Sequence, residues 1–393
     1  MVKFIRLIVT FYLLLSCFVC FSAKAQSVTN LQIYTYGTPS LNQPCKPVHK
    51  SIALMGGGLD VLGVYPWLIN KASECGEHKQ GMPGNFLIIR AEGNGEYYKP
   101  IYDLGTVASV LTLVIPDSKS ANDPKLDEII KNASVIWLTG GDQRIYYDEW
   151  KGSRLLSLIK EKILYGNVPF GGASAGMMLL GNYIHVGNQN HILSSTEALN
   201  NPYNPYMVLG REFWPSTSDI IEDAPYIIFS KTIIDSHFDT RNRMGRTLTF
   251  IARNLADHWS ISKGASVNFV TQSHAIAVDG ETAVLIEENS DGEYEASILV
   301  NPNVSGSAYF INPTQYPLCA KTRALLSSSC KTSITFNNIQ INRLIGSKTQ
   351  SKNLFNLTNW QTTEHTSKIN FEHYEININA GHLSSRGNSG QLY

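Results

Sequence analysis

Gly172-Ala173-Ser174-Ala175-Gly176 has the form G-x-S-x-G. A short apolar strand precedes it, and Met177-Met178-Leu179-Leu180 follows as the start of a helix. The chemistry such a turn serves is nucleophilic. A sharp strand-to-helix turn lifts the serine hydroxyl clear of the backbone. Small neighbours are needed because the turn is crowded and strained, and the helix N-terminus beneath it favours developing negative charge. The amide of Ala175 would then point at an oxyanion. A second run, Thr139-Gly140-Gly141-Asp142-Gln143, ends the preceding strand. Its glycine pair permits close approach of backbone to a ligand. The amide of Gly141 is expected to complete an oxyanion hole with Ala175, worth roughly 3–4 kcal/mol per donor, and Gln143 to hydrogen-bond a substrate. Without chemistry, the first run is a small-residue turn packing a strand on a helix, and the second a loop that caps the next helix.

The other dense segment is Asp235-Ser236-His237-Phe238-Asp239-Thr240-Arg241-Asn242-Arg243-Met244-Gly245-Arg246. It follows the apolar run Ile227 to Ile234, which reads as a strand, so His237 falls at or just past a strand end. Met244, Leu248, Ile251 and Leu255 recur at helical spacing, so a helix is expected to begin near Thr240. Arg241, Arg243 and Arg246 sit in its first turns, where cations oppose the helix dipole and need a compensating partner. By helical angles Arg243 and Arg246 lie away from the apolar stripe. One reading is a solvated face paired with carboxylates such as Asp239. The other is a guanidinium cluster that binds a carboxylate through paired hydrogen bonds lysine cannot reproduce.

Residues 50 to 300 alternate strands and helices. Ile52–Met55 is an apolar strand running into Gly56-Gly57-Gly58, and Asn122-Asp123-Pro124 starts a helix. Ala133 to Thr139 is a buried-type strand; Leu155, Leu158 and Ile159 mark a helix ended by Gly166; Val168 to Gly171 is the next strand. Such alternation predicts a parallel sheet covered on both faces, with sites in the loops at the carboxyl ends of its strands. Beyond residue 300 helical periodicity fades. Ile334, Phe336, Ile339, Ile341 and Leu344 suggest strands of a β appendage, packed on the core or extending its sheet.

The 393 residues suffice for one large domain with an appendage or for two domains, and the formal net charge is zero. A neutral chain lacks the basic footprint of a general nucleic-acid binder. Lys3 and Arg6, the apolar stretch Leu7 to Phe21, and Ala23-Lys24-Ala25 read as a secretory signal with mature residues from Gln26. An uncleaved anchor, or lipid attachment at Cys17 after Leu14-Leu15-Ser16, is the alternative. No later segment is long and apolar enough to span a bilayer as a helix. Cleavage leaves Cys45, Cys75, Cys319 and Cys330, an even number suggesting two disulfides in an exported chain. The local pairs Cys45–Cys75 and Cys319–Cys330 are favoured among the three connectivities. No Cys-x-x-Cys pair is present, which argues against zinc or thiol redox chemistry.

Together, Gly140-Gly141-Asp142-Gln143, the Ser174 elbow, and Asp235-x-His237-Phe238-x-x-Arg241-x-Arg243-x-x-Arg246 resemble the cyanophycinase-type branch of the cyanophycinase and dipeptidase E family of serine peptidases. Ile276-Ala277-Val278-Asp279-Gly280-Glu281-Thr282-Ala283 resembles the family's glycine–aspartate strand after the histidine helix. The resemblance covers roughly residues 50 to 300, and the tail from Gly306-Ser307-Ala308-Tyr309-Phe310 onward is similar to the extension of exported members. It implies an α/β fold: a mostly parallel sheet sandwiched by helices, akin to class I glutamine amidotransferases (flavodoxin-like), with serine in place of cysteine. The expected organisation is a signal peptide over residues 1–25, a catalytic domain over 26–300 and a β-rich extension over 301–393.

The resemblance further implies a Ser–His–acid triad of Ser174, His237 and Glu197, the acid holding the imidazole in the tautomer that accepts the serine proton. Asp235, Glu222 and Asp219 are rivals for the acid, and Glu197 in Ser194-Ser195-Thr196-Glu197 also suits a helix cap. The family hydrolyses peptide bonds next to aspartyl residues, and cyanophycinases release a β-aspartyl-arginine dipeptide. Gln143, Arg241, Arg243 and Arg246, with Asp235 and Ser236, match the pocket that reads aspartate and main-chain carboxylates. Two departures stand out. Ser236 replaces a glutamine, which removes an amide from the pocket wall and leaves other β-aspartyl or acidic peptides open as substrates. Gly280 replaces the usual acid after Asp279.

The implied reaction is acyl transfer with no metal and no organic cofactor, by a protein exported to the periplasm or the medium. The expected partner is an aspartyl or β-aspartyl peptide, with no nucleic acid and no membrane once the signal is removed. The resemblance suggests a homodimer. Two other readings remain: a catalytically silent protein that captures acidic peptides on the same scaffold, and an amidase or esterase.

Overall fold

The computed structural model describes residues 29–76, 84–95, 99–187, 191–216, 224–257, 272–315, 317, 333–346, 355–362 and 370–387. The signal-peptide segment 1–25, the pair Cys319 and Cys330, and Asp219 and Glu222 lie outside them.

Strands β1 (Gln32–Gly37), β2 (Ser51–Met55), β3 (Asn85–Arg90), β4 (Ser109–Val114), β5 (Ala133–Leu138) and β6 (Phe170–Ala173) build the first sheet together with later strands. Helices α1 (Val64–Ser73), α2 (Lys99–Tyr102), α3 (Leu126–Lys131), α4 (Gln143–Trp150) and α5 (Arg154–Tyr165) connect them. The neighbours β4-β3-β5-β6-β2 all pair in parallel, and β1 closes one edge antiparallel to β4. Alternate residues of these strands bury in opposite directions. Ile52 and Leu54 join the core under α4 and α5 with Leu155, Ile159 and Trp150. Ala53 and Met55 join a second core with Leu68 and Ile69 of α1. Apolar residues on both faces are what a two-sided parallel sheet requires, and each fully buried Leu or Ile contributes roughly 1.5–3 kcal/mol.

After β6 the chain makes the four-residue helix α6 (Ala175–Met178), a small ribbon of β7 (Ile184–His185) and β8 (Leu209–Gly210), and helix α7 (Ser195–Asn200) between them. Strand β9 (Thr232–Asp235), helix α8 (Met244–Ala256) and strand β10 (His274–Val278) follow. The apolar run Ile227–Ile234 is therefore only partly strand, because its start is a 3-10 turn over Ile227–Phe229. The remaining strands are β11 (Thr282–Glu288), β12 (Tyr294–Val300), β13 (Ser307–Pro313), β14 (Phe336–Ile345), β15 (Phe355–Asn356), β16 (Gln361–Thr362), β17 (Phe371–Asn379) and β18 (His382–Arg386).

The β-rich tail extends both sheets. The first runs β1-β4-β3-β5-β6-β2-β11-β12-β15-β16, and the second runs β18-β17-β14-β13-β10-β9. Residue 300 therefore divides neither sheet: β10 pairs with β13 and β12 with β15 across it. One face of the second sheet packs Ile233, Ala275, Tyr309 and Ile341 against Leu248, Ile251 and Leu255 of α8. Its other face sends Ile234, Ile276 and Phe310 into the core shared with the first sheet. The carboxyl ends of β2 and β9 are thereby held side by side, with the His237 amide donating to the Gly56 carbonyl at 2.8 Å.

Candidate active site

Strand β6 turns into α6 at Ser174, whose backbone is held at φ 50°, ψ −117°. A non-glycine residue keeps such a conformation only where its surroundings fix it. The fixing contacts are on both sides of the turn: Ser174 N–H donates to the Met55 carbonyl at 2.9 Å, and its own carbonyl accepts from Met178 N–H at 3.1 Å. Glycine is required at both ends of the elbow. A Cβ on Gly176 would overlap the Leu138 carbonyl, and one on Gly172 would come within 2.6 Å of the Gly176 carbonyl carbon.

His237 stands two residues past β9 at φ 46°. Its Nε2 lies 2.9 Å from Ser174 Oγ. Burial, then the charges of Arg241 and Arg243, depress the imidazole to about 4, against the opposing pull of Asp235 and Asp239. The ring is therefore neutral at neutral pH, and with the proton on Nδ1 its Nε2 is free to accept from the serine. Gly57, at φ +96°, lies against this pair: a Cβ there would meet His237 Cε1 at 2.5 Å and Ser174 Cβ at 3.1 Å. The sequence reading placed Gly57 only at a strand end; the run of three glycines after a core strand was the available signal.

Of the expected oxyanion elements, Ala175 is next to the serine in the chain and Gly141 follows a glycine that touches it. Gly140 packs directly on it, a Cβ there meeting Ser174 Cβ at 3.2 Å. Gly141 follows, flanked by the Tyr146 ring and by Glu92. Ala175 opens α6, so its amide has no acceptor within the helix. Gln143 opens α4, capped by the Asp142 side chain, which accepts from Arg144 N–H at 2.9 Å. Gln143 Nε2 sits 4.0 Å from the sulfur of Met178, on the serine side of the sheet.

The arginines are divided. Helix α8 begins at Met244, not near Thr240, and Arg243 and Arg246 point into the protein. Asp235, fully buried, accepts from Arg246 Nε at 3.0 Å and Nη2 at 2.5 Å, from Arg243 Nη1 at 3.2 Å and from Thr247 Oγ1 at 2.6 Å. Burial works against the Asp235 charge, but Arg246 and Arg243 outweigh it and hold the carboxyl well below its ordinary range. This corrects the expectation of an outward guanidinium face: the cations that oppose the helix dipole are compensated from inside by one aspartate. Ser236 is also turned inward, its carbonyl and hydroxyl accepting from Arg243 Nη1 at 2.6 and 3.2 Å, and it forms no wall of an open pocket. Two guanidinium groups and one carboxylate give this buried cluster a net positive charge. Arg241 is exposed, and its side chain makes no hydrogen bond or ion pair with any described residue.

Glu197 is not brought to His237. It is the third residue of α7, where its Oε2 accepts from Ser194 N–H at 2.9 Å and Ser194 Oγ at 2.8 Å in a capping box. Its Oε1 faces His191 Nε2 at 2.8 Å, and that ring stacks on Tyr206. The orphan amides at the start of α7 and the neighbouring imidazole hold the carboxylate there. The placement corrects the choice of Glu197 as the group oriented on His237. Among the described residues no carboxylate lies within hydrogen-bond distance of His237 Nδ1. Nor do any three His, Cys, Asp or Glu side chains among them gather to hold a metal ion.

Residues 95–204 match the family model of peptidase family S51. That span contains Gln143, Ser174 and Glu197 and stops short of His237 and the arginines. A cyanophycinase of Geminocystis herdmanii is 26% identical over 161 residues, 41% of this chain and 51% of that protein. A cyanophycinase of a Nostoc species is 22% identical over 158 residues, 40% of this chain and 46% of that protein. The chain thus spans about half the length of these curated relatives. Among solved structures, a peptidase from an acI-B1 Actinobacterium covers 68% of this chain and 95% of its own at 18% identity, with a TM-score of 0.41 that carries no argument. By its motifs, by the matched segment and by these curated relatives, the chain is related to peptidase family S51, the cyanophycinase and dipeptidase E family.

Proposed function

We propose that this protein is an exported serine-type exopeptidase that cleaves peptide bonds beside aspartyl or β-aspartyl residues through a Ser174 acyl-enzyme. The observation that carries the reading is the 2.9 Å approach of His237 Nε2 to Ser174 Oγ at a strained elbow. His237 takes the hydroxyl proton as Oγ attacks the substrate carbonyl, and the amides of Ala175 and Gly141 receive the oxyanion. The protonated imidazole then gives its proton to the leaving amine, and water, deprotonated by the same ring, releases the acyl group. Arg241, exposed and without a hydrogen bond or ion pair among the described residues, is a group available for a substrate carboxylate, aided by the positive charge of the buried Asp235–Arg243–Arg246 cluster. The cyanophycinase relatives support an aspartyl specificity. Export rests on the signal-like N-terminus, in accord with the disulfide between Cys45 and Cys75.

The test is release of dipeptide by the mature protein from cyanophycin and from a β-aspartyl peptide panel, beside Ser174→Ala. Release that disappears in the variant supports both nucleophile and substrate class. Release from the panel but not from cyanophycin assigns the change of specificity to this chain's pocket. A folded protein inert on both, and unreactive to a serine-directed phosphonate, refutes the peptidase reading and favours capture of acidic peptides.

A further inference from the structure

We propose that Asp239 is the acid that positions His237. The inference rests on the serine-peptidase reading above, but its test does not depend on turnover. The other acids near the ring are accounted for. Both oxygens of Asp235 are taken up by Arg246, Arg243 and Thr247. Glu197 belongs to the α7 cap and His191. Asp279 is buried, its Oδ2 accepting from the Ser307 amide at 2.9 Å. Its Oδ1 meets no described donor, and burial, then the charge of Asp239, pushes its carboxyl up to about 7, so it is not a full anion at neutral pH. Glu281 accepts from Asn301 at 3.2 Å, on the outer side of Gly58.

Asp239 lies two residues from His237 in the same turn and is half-buried. Its Oδ1 is fixed by the Gly280 amide at 2.8 Å, and no described donor reaches its second oxygen. The anchor comes from the residue that departs from the family pattern. At Gly280 a Cβ would meet Asp239 Oδ1 at 3.7 Å and the Gly57 carbonyl oxygen at 3.7 Å. Position 280 therefore faces both the Asp239 carboxylate and the glycine that abuts the Ser174–His237 pair. With no side chain at 280, Asp239 is the carboxylate facing that space, and its charge acts on the His237 imidazole. Its second oxygen would accept the Nδ1 proton once the side chain turns toward the ring, or through one water, and so hold the tautomer that leaves Nε2 as the base.

The decisive variant is Asp239→Asn, which keeps an oxygen for the Gly280 amide while removing the charge. The charged groups acting on the ring are Arg241, Arg243, Asp235 and Asp239, and the β10–β11 turn adds Asp279 beside Gly56 and Glu281 beside Gly58. Nitrogen NMR of histidine-labelled protein, with His237 assigned from His237→Gln, reads tautomer and titration directly. In Asp239→Asn the titration should move below its starting value of about 4, with loss of the Nδ1-protonated form. The turnover number should fall on the order of 10²-fold with KM little changed, and Asp239→Glu should restore most of it. An unchanged His237 spectrum in Asp239→Asn overturns the assignment, as does the same spectral change in Glu197→Gln instead. A wild-type protein inert on every substrate would refute the peptidase reading, while the spectra would still decide the role of Asp239.

Discussion

Gly57→Ala tests whether the Ser174–His237 pair is held by the shape of the β2 loop. The added methyl carbon would stand 2.5 Å from His237 Cε1 and 3.1 Å from Ser174 Cβ, whereas ordinary contacts run 3.4–4 Å. The ring must therefore retreat by about 1 Å, and a displacement of that size at a reacting centre costs roughly 10²-fold in rate. The φ of +96° adds backbone strain of about 1–3 kcal/mol. Gly58→Ala separates the two effects. Gly58 has a similar φ of +84°, but its Cβ would meet only Glu281, at 3.3 Å from the flexible side chain's Cγ and at an ordinary 3.5 Å from the backbone nitrogen. The assay is the second-order rate of inactivation by a fluorophosphonate, with denaturant unfolding alongside. Both variants should lose similar stability, but only Gly57→Ala should lose about two decades of reactivity. A Gly57→Ala protein that reacts within a few-fold of wild type would refute the claim that this glycine sets the catalytic geometry.

Three further outcomes follow from the site. Arg241→Ala should raise KM for acidic peptides while leaving phosphonate reactivity nearly unchanged, and Arg241→Lys should not restore binding, because the paired guanidinium geometry is lost; equal KM values would remove Arg241 from the pocket. Asp235→Ala leaves Arg243 and Arg246 buried without their carboxylate and should cost about 3–5 kcal/mol in chemical unfolding; a loss under about 1 kcal/mol would mean that solvent reaches the cluster. Because burial lowers His237 to about 4, the neutral base is present above that value. The acid limb of kcat/KM should therefore lie near 4, with activity flat from there to neutrality; a limb near the ordinary 6.5 would show an exposed or stabilised imidazolium.

Local chemistry was legible where the constraint itself is local. The Ser174 elbow is set by five consecutive residues, and the crowding that demands Gly172 and Gly176 arises within the turn and from the strand beside it. The parallel core was legible because β2, β5 and β6 are short apolar runs punctuated by glycine and helix caps, whereas β3 was not read from the sequence. Glu197 was also legible, in the other direction: Ser194-Ser195-Thr196-Glu197 is a capping-box sequence, and the structure uses it as one.

The sequence by itself determined the sharp turn at Ser174, the alternation that builds a two-sided sheet, and a histidine at a strand end. Those depend chiefly on residues a few positions apart, whose steric and periodic demands can be read along the chain. Only the tertiary structure decided which cations face solvent. Helical angles put Arg243 and Arg246 on an outer face, but that face is inner here, because the chain between β9 and α8 folds back over Asp235 and buries all three side chains. Tertiary structure alone also set Gly57 against the His237 imidazole and Gly280 against both Gly57 and Asp239, from segments separated by as many as 223 residues between positions 57 and 280. A charge's role depends on what covers it and on the groups that reach it, and those neighbours are fixed only when the two sheets close on each other.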